Sequence, residues 1–370
     1  MATRRGRCGV TLGVVLGAVL AAGVTLGQPP APPTLVVSVG GPAEDPAYLP
    51  VHAALALGTF EAEGVQVTLK RAKHPNGAMA ALRDREAAVA VTTMDEAIRG
   101  AWARKLPVQV LAAHVRAPAV ALLVAPAARE SVRRIEDLLG RAVAIPGPGT
   151  TGHLLLVTLL REARVEPWQV DIRSLGHAAL LTRLAGEELA AAMVEEPWAS
   201  RLLDAGRVGL LVDLRRPEEV ERALGGPFYE VVSVAVAPPK DTEKPKSKTG
   251  AVAKKEVPRE LPPEAALVAF TRAVIRVQAW LATAPPQAVA ERLPPSLVGD
   301  RARFEARLGT RRAAYVATGE PTAAGLEATL RALRAGSPWP TGLNVGPDDL
   351  ATPPAVTEAR RQLGPSPPAP

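Results

Sequence analysis

The chain of 370 residues is long enough to bury a full hydrophobic core, and its length suggests two domains. Aromatic residues make up only 3% of it, which leaves few side chains to stack on nucleic-acid bases. The formal net charge is +7, but three excess positive charges lie in residues 1–27 and three in residues 240–260. The body is therefore nearly neutral, so we expect no nucleic-acid partner.

Residues 1–27 are organised like an export signal. MATRRGR carries positive charge, residues 10–26 are uncharged and apolar or small, and Thr25 and Gly27 suit a cleavage site. The pattern predicts a cleaved signal peptide and a periplasmic or cell-envelope location, with a retained membrane anchor as the alternative. The single cysteine, Cys8, precedes the apolar stretch, so the mature chain would have no disulfide and no lipid-bearing cysteine.

Short apolar strands alternate with helices in two runs along the chain. The first run is predicted as strand 34–39, helix 50–64, strand 65–70, helix 77–86, strand 87–91, helix 94–105, and strands 107–114 and 120–126. The second is strand 141–146, helix 151–164, strand 169–175, helix 177–188, strand 189–194, helix 197–206, and strands 208–214 and 230–238. Helices 263–284, 300–317 and 321–335 follow. Such strands are typical of an α/β protein whose sheet is covered on both faces.

Two further segments differ from this pattern. Residues 239–262 contain six of the nine lysines and no apolar period, which predicts a flexible Lys/Pro-rich insertion. A basic docking segment is the alternative. Residues 337–370 are proline-rich, and we expect an irregular tail there.

The segment AIPGPGTTGHL, residues 144–154, contains the G-x-G-x-x-G spacing of dinucleotide-binding folds. In those folds the loop belongs to the first βαβ unit, and an acidic residue at the end of the next strand holds the ribose. Here the loop lies midway along the chain, Asp171 is near the start of its strand, and Pro148 lacks a backbone N–H. These departures argue against a dinucleotide, and we expect no cofactor.

The same loop leads from a predicted strand into a helix, where backbone N–H groups and the helix dipole can hold an anion or a carbonyl. Thr150 and Thr151 could cap that helix or donate to a ligand, and His153 adds a further donor. Simple N-capping, with His153 on the surface, is the alternative.

Four segments in order resemble the substrate-binding proteins of ABC importers in the nitrate, sulfonate, taurine and thiamine-precursor group. They are YLPVHAALALGTFEAEGVQV (48–67), NGAMAALRDREAAVAVTTMDEAI (76–98), IEDLLGRAVAIPGPGTTGHLLL (135–156) and AAAMVEEPWASRLLDAG (190–206). The resemblance extends over roughly residues 34–335. Asn76, preceded by Pro75, stands where the family usually has a small residue, and the insertion is not part of the family pattern.

The resemblance implies a two-lobed α/β fold of the type II periplasmic-binding-protein class, with the ligand in the cleft between the lobes. Residues 34–126 with 229–335 would form one lobe and residues 127–228 the other. The implied function is capture of a small anionic or zwitterionic organic solute, such as a sulfonate, taurine, nitrate or a pyrimidine. The implied partners are an ABC permease and its ATPase, and the protein would be a monomer.

The resemblance also points to ten ligand-binding residues, which follow strands or open helices, where an open α/β sheet binds ligands. They are Tyr48, Asn76, Gly77, Thr92, Thr93, Thr150, Thr151, His153, Glu195 and Glu196. One carboxylate of the Glu195–Glu196 pair could accept from an amine or amino-pyrimidine, and the other could cap the next helix.

Catalysis is the alternative to binding. Neighbouring residues at a strand end point in different directions, so Glu195 and Glu196 are a poor acid–base pair. The five histidines show no metal-binding spacing, and no serine has a nucleophile-elbow context. We therefore expect no enzyme and no metal site. A ligand-sensing module for a membrane receptor also remains open.

Overall fold

The computed structural model describes residues 31–103, 106–186, 188–238, 261–336, 345–350, 352 and 354–364. The expected signal peptide and nearly all of the insertion lie outside the described residues. The strands are β1 Thr34–Val39, β2 Gln66–Arg71, β3 Val89–Thr93, β4 Val108–Ala113, β5 Val120–Val124, β6 Ala142–Ile145, β7 Asp171–Ser174, β8 Ala191–Glu195, β9 Gly209–Val212 and β10 Val231–Val236.

The helices alternate with these strands in the first two thirds of the described chain and then follow one another. They are α1 Leu49–Ala56, α2 Thr59–Ala62, α3 Pro75–Arg83, α4 Met94–Ala103, α5 Thr151–Glu162, α6 His177–Ala185, α7 Trp198–Asp204, α8 Pro217–Leu224, α9 Glu264–Thr283, α10 Pro286–Arg292, α11 Pro295–Val298, α12 Arg301–Arg311, α13 Ala323–Gly336 and α14 Pro354–Leu363.

Two five-stranded sheets have the same pattern of strands. The first has the order β2-β1-β3-β10-β4 and the second the order β7-β6-β8-β5-β9. In each sheet three neighbouring strands run parallel, and the fourth, β10 or β5, is antiparallel to both of its neighbours. Each of these antiparallel strands follows a stretch of chain that belongs to the other sheet.

The position of β5 differs from the expectation. The sequence analysis assigns 120–126 to the first lobe, whereas β5 pairs with β8 from Val120 opposite Glu195 to Val124 opposite Ala191. The chain thus crosses to the second sheet before β5. An apolar strand shows that it is buried but not which sheet it joins. We propose residues 114–119 as the lobe boundary.

The predicted helix over 50–64 is two helices in the structure. Gly58 lies between α1 and α2 with φ 66°, a left-handed conformation that glycine adopts without strain. The tail also differs from the expected irregular chain, because α14 packs against α9. Val356 is fully buried, and Arg360 donates to the carbonyls of Leu111 and Gly319.

Helix α9 is the central helix of the first half of the fold. Its ring of Phe270 stacks on Phe60, with centroids 5.3 Å apart. Gln278 donates to the carbonyl of Ala113 at 2.8 Å. Among the described residues this is the one helix long and apolar enough to cross a membrane, with a mean hydropathy of 1.3. Because 72% of that apolar window is buried inside the protein, α9 reads as a core helix.

Candidate functional site

A cavity of about 770 Å³ lies between the two sheets. Its walls come from segments just past the carboxyl ends of β1, β3, β6 and β8, and from the segment that leads into β10. Carboxyl ends of parallel strands are where open α/β sheets bind ligands.

Seven of the ten residues proposed from the sequence line this cavity: Tyr48, Asn76, Thr93, Thr150, Thr151, Glu195 and Glu196. Gly77, Thr92 and His153 are not among the lining residues. Thr92 is fully buried and donates to the carbonyl of Pro75 at 2.9 Å. His153 uses Nδ1 to accept the Gly149 N–H at 3.0 Å. The side chains of Thr92 and His153 therefore form hydrogen bonds to the segments that line the cavity and do not line it themselves.

The glycine loop before α5 is closed mainly by its own hydrogen bonds. The Thr150 hydroxyl donates to the carbonyl of Gly147 at 2.8 Å and accepts the His153 N–H at 3.3 Å. Thr150 is therefore the N-cap of α5, as the capping alternative describes. No hydrogen bond to another described residue occupies the Thr151 hydroxyl, and Thr151 lines the cavity, so this donor is open to a ligand.

Glu196 lines the cavity but already has partners. Its carboxylate accepts from Arg215 at 2.7 Å and from Ser200 at 2.7 Å. Arg215 is in turn held by Asp213 at 2.6 Å. Such a buried, fully paired network fixes the end of β8 against the turn after β9. Glu195 is more open, with 34% of its side chain exposed, and its carboxylate lies 3.0 Å from His177 Nε2.

The sequence analysis missed five of the lining carboxylates, which are Glu44, Asp45, Asp95, Glu96 and Glu230. Burial raises the pKa of Asp45, although the Ala47 N–H donates to its Oδ1 at 2.9 Å. Burial and, to a smaller extent, the charges of Asp45 and Glu195 raise the pKa of Glu230 to about 8. Both shifts mean that the ionised form is poorly solvated there.

The segment that carries Asp45 and Tyr48 is anchored from two sides. The His114 Nδ1 lies 3.0 Å from the carbonyl of Ala47, and its Nε2 lies 2.8 Å from the Ser233 hydroxyl of β10. Burial lowers the pKa of His114 to about 4, so the ring is neutral at physiological pH. The Tyr315 hydroxyl donates to the carbonyl of Pro46 at 2.9 Å. The segment that carries Asp45 and Tyr48 is thus fixed by hydrogen bonds within the protein.

Arg311 ties the two halves of the fold together behind the cavity. It is only 2% exposed and donates to the carbonyls of Ala117, Pro118 and Arg215 at 2.7 to 2.9 Å. Its positive charge lowers the pKa of both Asp45 and Glu230, against the effect of burial. The guanidinium therefore compensates part of the negative charge while its hydrogen bonds go to the backbone.

Carboxylates dominate the charge of the described lining. They are Glu44, Asp45, Asp95, Glu96, Glu195, Glu196 and Glu230, against the single arginine Arg307. In the described part of the chain no group of three or more His, Cys, Asp or Glu side chains is arranged to hold a metal ion. The acids are thus distributed around an organic-ligand-sized space.

Residues 45–218 match the family model described as NMT1/THI5 like. None of the curated proteins matches the chain in sequence. A solved structure from Bordetella bronchiseptica RB50 is 21% identical, with a TM-score of 0.65 over 89% of this chain and 97% of that chain.

Two similar solved structures have a stated ligand. The periplasmic aliphatic sulphonate binding protein SsuA from Escherichia coli is 16% identical, with a TM-score of 0.55 over 77% of this chain and 85% of that chain. The periplasmic nitrate-binding protein NrtA from Synechocystis PCC 6803 is 13% identical, with a TM-score of 0.56 over 90% and 89% of the two chains. At such identities the likeness shows a common fold. Residues 45–218 thus match the NMT1/THI5-like family model, and the described chain has the two-sheet α/β fold of the substrate-binding proteins of ABC importers.

Proposed function

We propose that this chain is an extracytoplasmic solute-binding protein that captures a small organic solute in the cavity between the two sheets. The observation that carries the proposal is the position of the cavity. It is walled by strand ends and helix starts from both sheets, so a ligand there would contact both halves of the fold. Two stretches of chain, before β5 and before β10, connect those halves.

The fold supports a role in import. Similar structures include a sulphonate-binding and a nitrate-binding protein, both periplasmic. We propose that the chain is exported through its N-terminal signal, acts as a monomer in the periplasm, and delivers its solute to an ABC permease and ATPase. The two lobes would be residues 34–113 with 229–335, and residues 120–228. The family and the fold favour binding over catalysis.

A ligand screen on the exported, purified protein tests the binding role. The panel contains nitrate, taurine, alkanesulfonates, pyrimidines and small amines, and the readout is the melting temperature, Tm. A solute at 100 times its Kd should stabilise the protein by about 2.7 kcal/mol. Native mass spectrometry would show whether a solute is retained on purification. A protein that retains nothing and whose Tm responds to no compound would contradict the proposal.

Uptake separates transport from sensing. Cells that lack this chain should lose uptake of the solute that the screen identifies, and expression of the chain should restore it. Binding without any effect on uptake would instead support a ligand-sensing module. Turnover of the bound solute would support the enzyme alternative.

A further inference from the structure

We infer that the solute carries a protonated amine or another cationic nitrogen group, which Asp45, Glu230 and Tyr48 bind. This inference rests on the proposed function and names the class of solute for the same cavity. It narrows the expected anionic or zwitterionic solute to one in which the positive group is required.

The first step concerns the lining carboxylates that lack a cationic partner. Glu196 is paired with Arg215, Asp95 is paired with Arg99 at 2.9 Å, and Glu195 lies 3.0 Å from His177 Nε2. In the described part of the chain Glu44, Asp45, Glu96 and Glu230 form no salt bridge, and of these Asp45 and Glu230 are the two whose charges act on Tyr48. The positive charges of Arg311 and, for Asp45, Arg307 act on these carboxylates, but the hydrogen bonds of Arg311 go to three backbone carbonyls. Two poorly solvated carboxylates therefore face the cavity without a donor that matches their charge.

Tyr48 is an independent observation at the same place. Its side chain lines the cavity, is only 4% exposed, and forms no hydrogen bond with any described residue. Burial and the negative charges of Asp45 and Glu230 raise the pKa of its phenol. A tyrosine hydroxyl with so little exposed surface usually has a hydrogen-bond partner. The Tyr48 hydroxyl has none among the described residues and faces the cavity near two carboxylates, so it is available to a ligand.

The position of the Tyr48 ring is fixed by close packing. Gly41 lies directly against it, since a Cβ on Gly41 would come within 2.2 Å of the ring atom Cε2. The packing thus fixes the position of the Tyr48 ring in the cavity wall. A cationic nitrogen could donate to the phenol oxygen and to both carboxylates, and the ring face would add a cation–π attraction.

Electrostatics decide against a simple anion here. A sulfonate or nitrate near Asp45 and Glu230 would be repelled by an ionised carboxylate in a poorly solvated site, where repulsion is stronger than in water, and would keep Glu230 protonated. A cation would instead favour the ionised form of Glu230 and offset the negative charge of both carboxylates. The N-terminus of α5 lines the same cavity through Thr150 and Thr151. The acidic group of a zwitterion would therefore have a separate place, next to the open Thr151 hydroxyl of that helix.

A matched set of compounds tests the inference by calorimetry and Tm. Propane-1-sulfonate, 3-aminopropane-1-sulfonate, propan-1-amine and 1,3-diaminopropane share a three-carbon spacer and differ only in their end groups. We expect the three amine-bearing compounds to bind and propane-1-sulfonate to bind at least tenfold more weakly than its amino counterpart.

Substitutions in the cavity then test which residues bind the positive group of the solute. Glu230→Gln keeps the shape and removes the charge, and it should weaken binding of 3-aminopropane-1-sulfonate by tenfold or more. Tyr48→Phe keeps the ring, should leave the protein folded, and should weaken the same compound about threefold to tenfold. Glu218→Gln on the exposed face of α8 is the matched control and should bind like the unaltered protein.

The outcomes separate this inference from the proposed function. Propane-1-sulfonate binding as tightly as 3-aminopropane-1-sulfonate would overturn the requirement for a cation and leave a solute-binding protein. If none of the three amine-bearing compounds bound, the requirement for a cation would also be overturned. The wider panel of solutes would still test the binding role. Equal affinities for the unaltered, Glu230→Gln and Tyr48→Phe proteins would place the amine elsewhere and overturn the assignment of these residues.

Discussion

At the scale of single residues, Glu230 combines its proposed binding role with a cost in stability. It stands just before β10, and its carbonyl accepts the Met94 N–H at 2.9 Å, so the backbone cannot move the carboxylate out of the cavity. Burial raises its pKa from 4.5 to about 8. The folded protein therefore holds a proton there that the unfolded chain releases between these pH values.

The sign of the resulting pH dependence follows directly. The contribution of Glu230 to stability is fully present below pH 4.5 and is lost as the pH rises through about 8. Within that window the loss is at most about 1.4 kcal/mol per pH unit. Glu230→Gln should thus raise the free energy of unfolding at pH 8 and change it little at pH 4.5. Urea denaturation across this range checks the prediction, with Glu218→Gln as control. A Glu230→Gln difference that does not vary with pH would refute it.

The two neighbouring threonines before α5 should separate capping from ligand contact. Thr150→Ala removes the N-cap and should lower the free energy of unfolding by about 1 kcal/mol. Thr151→Ala should change it by less than about 0.5 kcal/mol. If the solute has an acidic group, Thr151→Ala should weaken its binding more than Thr150→Ala does, because only the Thr151 hydroxyl is open to the ligand. Thermal unfolding and calorimetry on both variants measure the two effects. A larger stability loss for Thr151→Ala would contradict the capping assignment.

Sequence patterns identify candidate site residues at strand ends more easily than site residues that are far apart in the sequence and come together only in the folded protein. Thr93 and Glu195 end strands, Thr150 directly precedes a helix, and all three line the cavity. Asp45 lies in a loop and Glu230 at a crossing of the chain, and no motif connects them. Their proximity depends on the antiparallel placement of β10 next to β3. An acidic residue directly before an apolar strand was the only local signal.

At the scale of elements, α12 stabilises the crossing between the sheets through one side chain. Arg311→Met would leave the carbonyls of Ala117, Pro118 and Arg215 without their donor, and it would remove a positive charge that lowers the pKa of Asp45 and Glu230. Removing one partner from a buried charged network costs about 3–5 kcal/mol. We expect a Tm loss of many degrees, measured by calorimetry.

A variant on the exposed side of the same helix provides the control. Arg303 is 74% exposed and pairs only loosely with Asp300, at 3.8 Å. Arg303→Met should change the free energy of unfolding by less than about 1 kcal/mol. Equal effects of Arg311→Met and Arg303→Met would show that the buried guanidinium does not hold the crossing.

Strands and most helices could be predicted from apolar periodicity, because burial of one face imposes that period. The tail could not, since its proline-rich composition argued for irregular chain. The helix α14 forms in this tail because it packs against the rest of the protein. Val356 and Arg360 lie one helical turn apart in α14 and are both buried. Composition describes the average of a segment, whereas docking needs only two well-placed side chains.

At the scale of the whole molecule, the two sheets repeat one strand order while the chain crosses between them twice. The fold class could be predicted from alternating strands and helices and from the family resemblance. The sheet that β5 joins could not, because all five of its residues are buried and none marks a boundary. The crossing places a cavity where both halves contribute walls, which is the arrangement that a binding protein requires.

The insertion between β10 and α9 should be dispensable for this arrangement. Val236 at the end of β10 lines the same surface pocket as Leu261, Pro262 and Pro263, so the two ends of the insertion lie close together. Replacing residues 240–260 by a short Gly-Ser linker shortens the connection between β10 and α9, and a shorter connection changes the entropy of closure by only about 1 kcal/mol. The removed sequence has no apolar period to bury.

We therefore expect the Tm and the solute affinity of the linker variant to stay within about 1 kcal/mol of the unaltered protein. Calorimetry on the purified variant and uptake by cells that produce it measure the two halves of the prediction. A strong loss of stability would mean that the segment packs against the fold. Intact binding with lost uptake would instead assign the six lysines to docking on the importer, through their charge, as the alternative interpretation of the sequence holds.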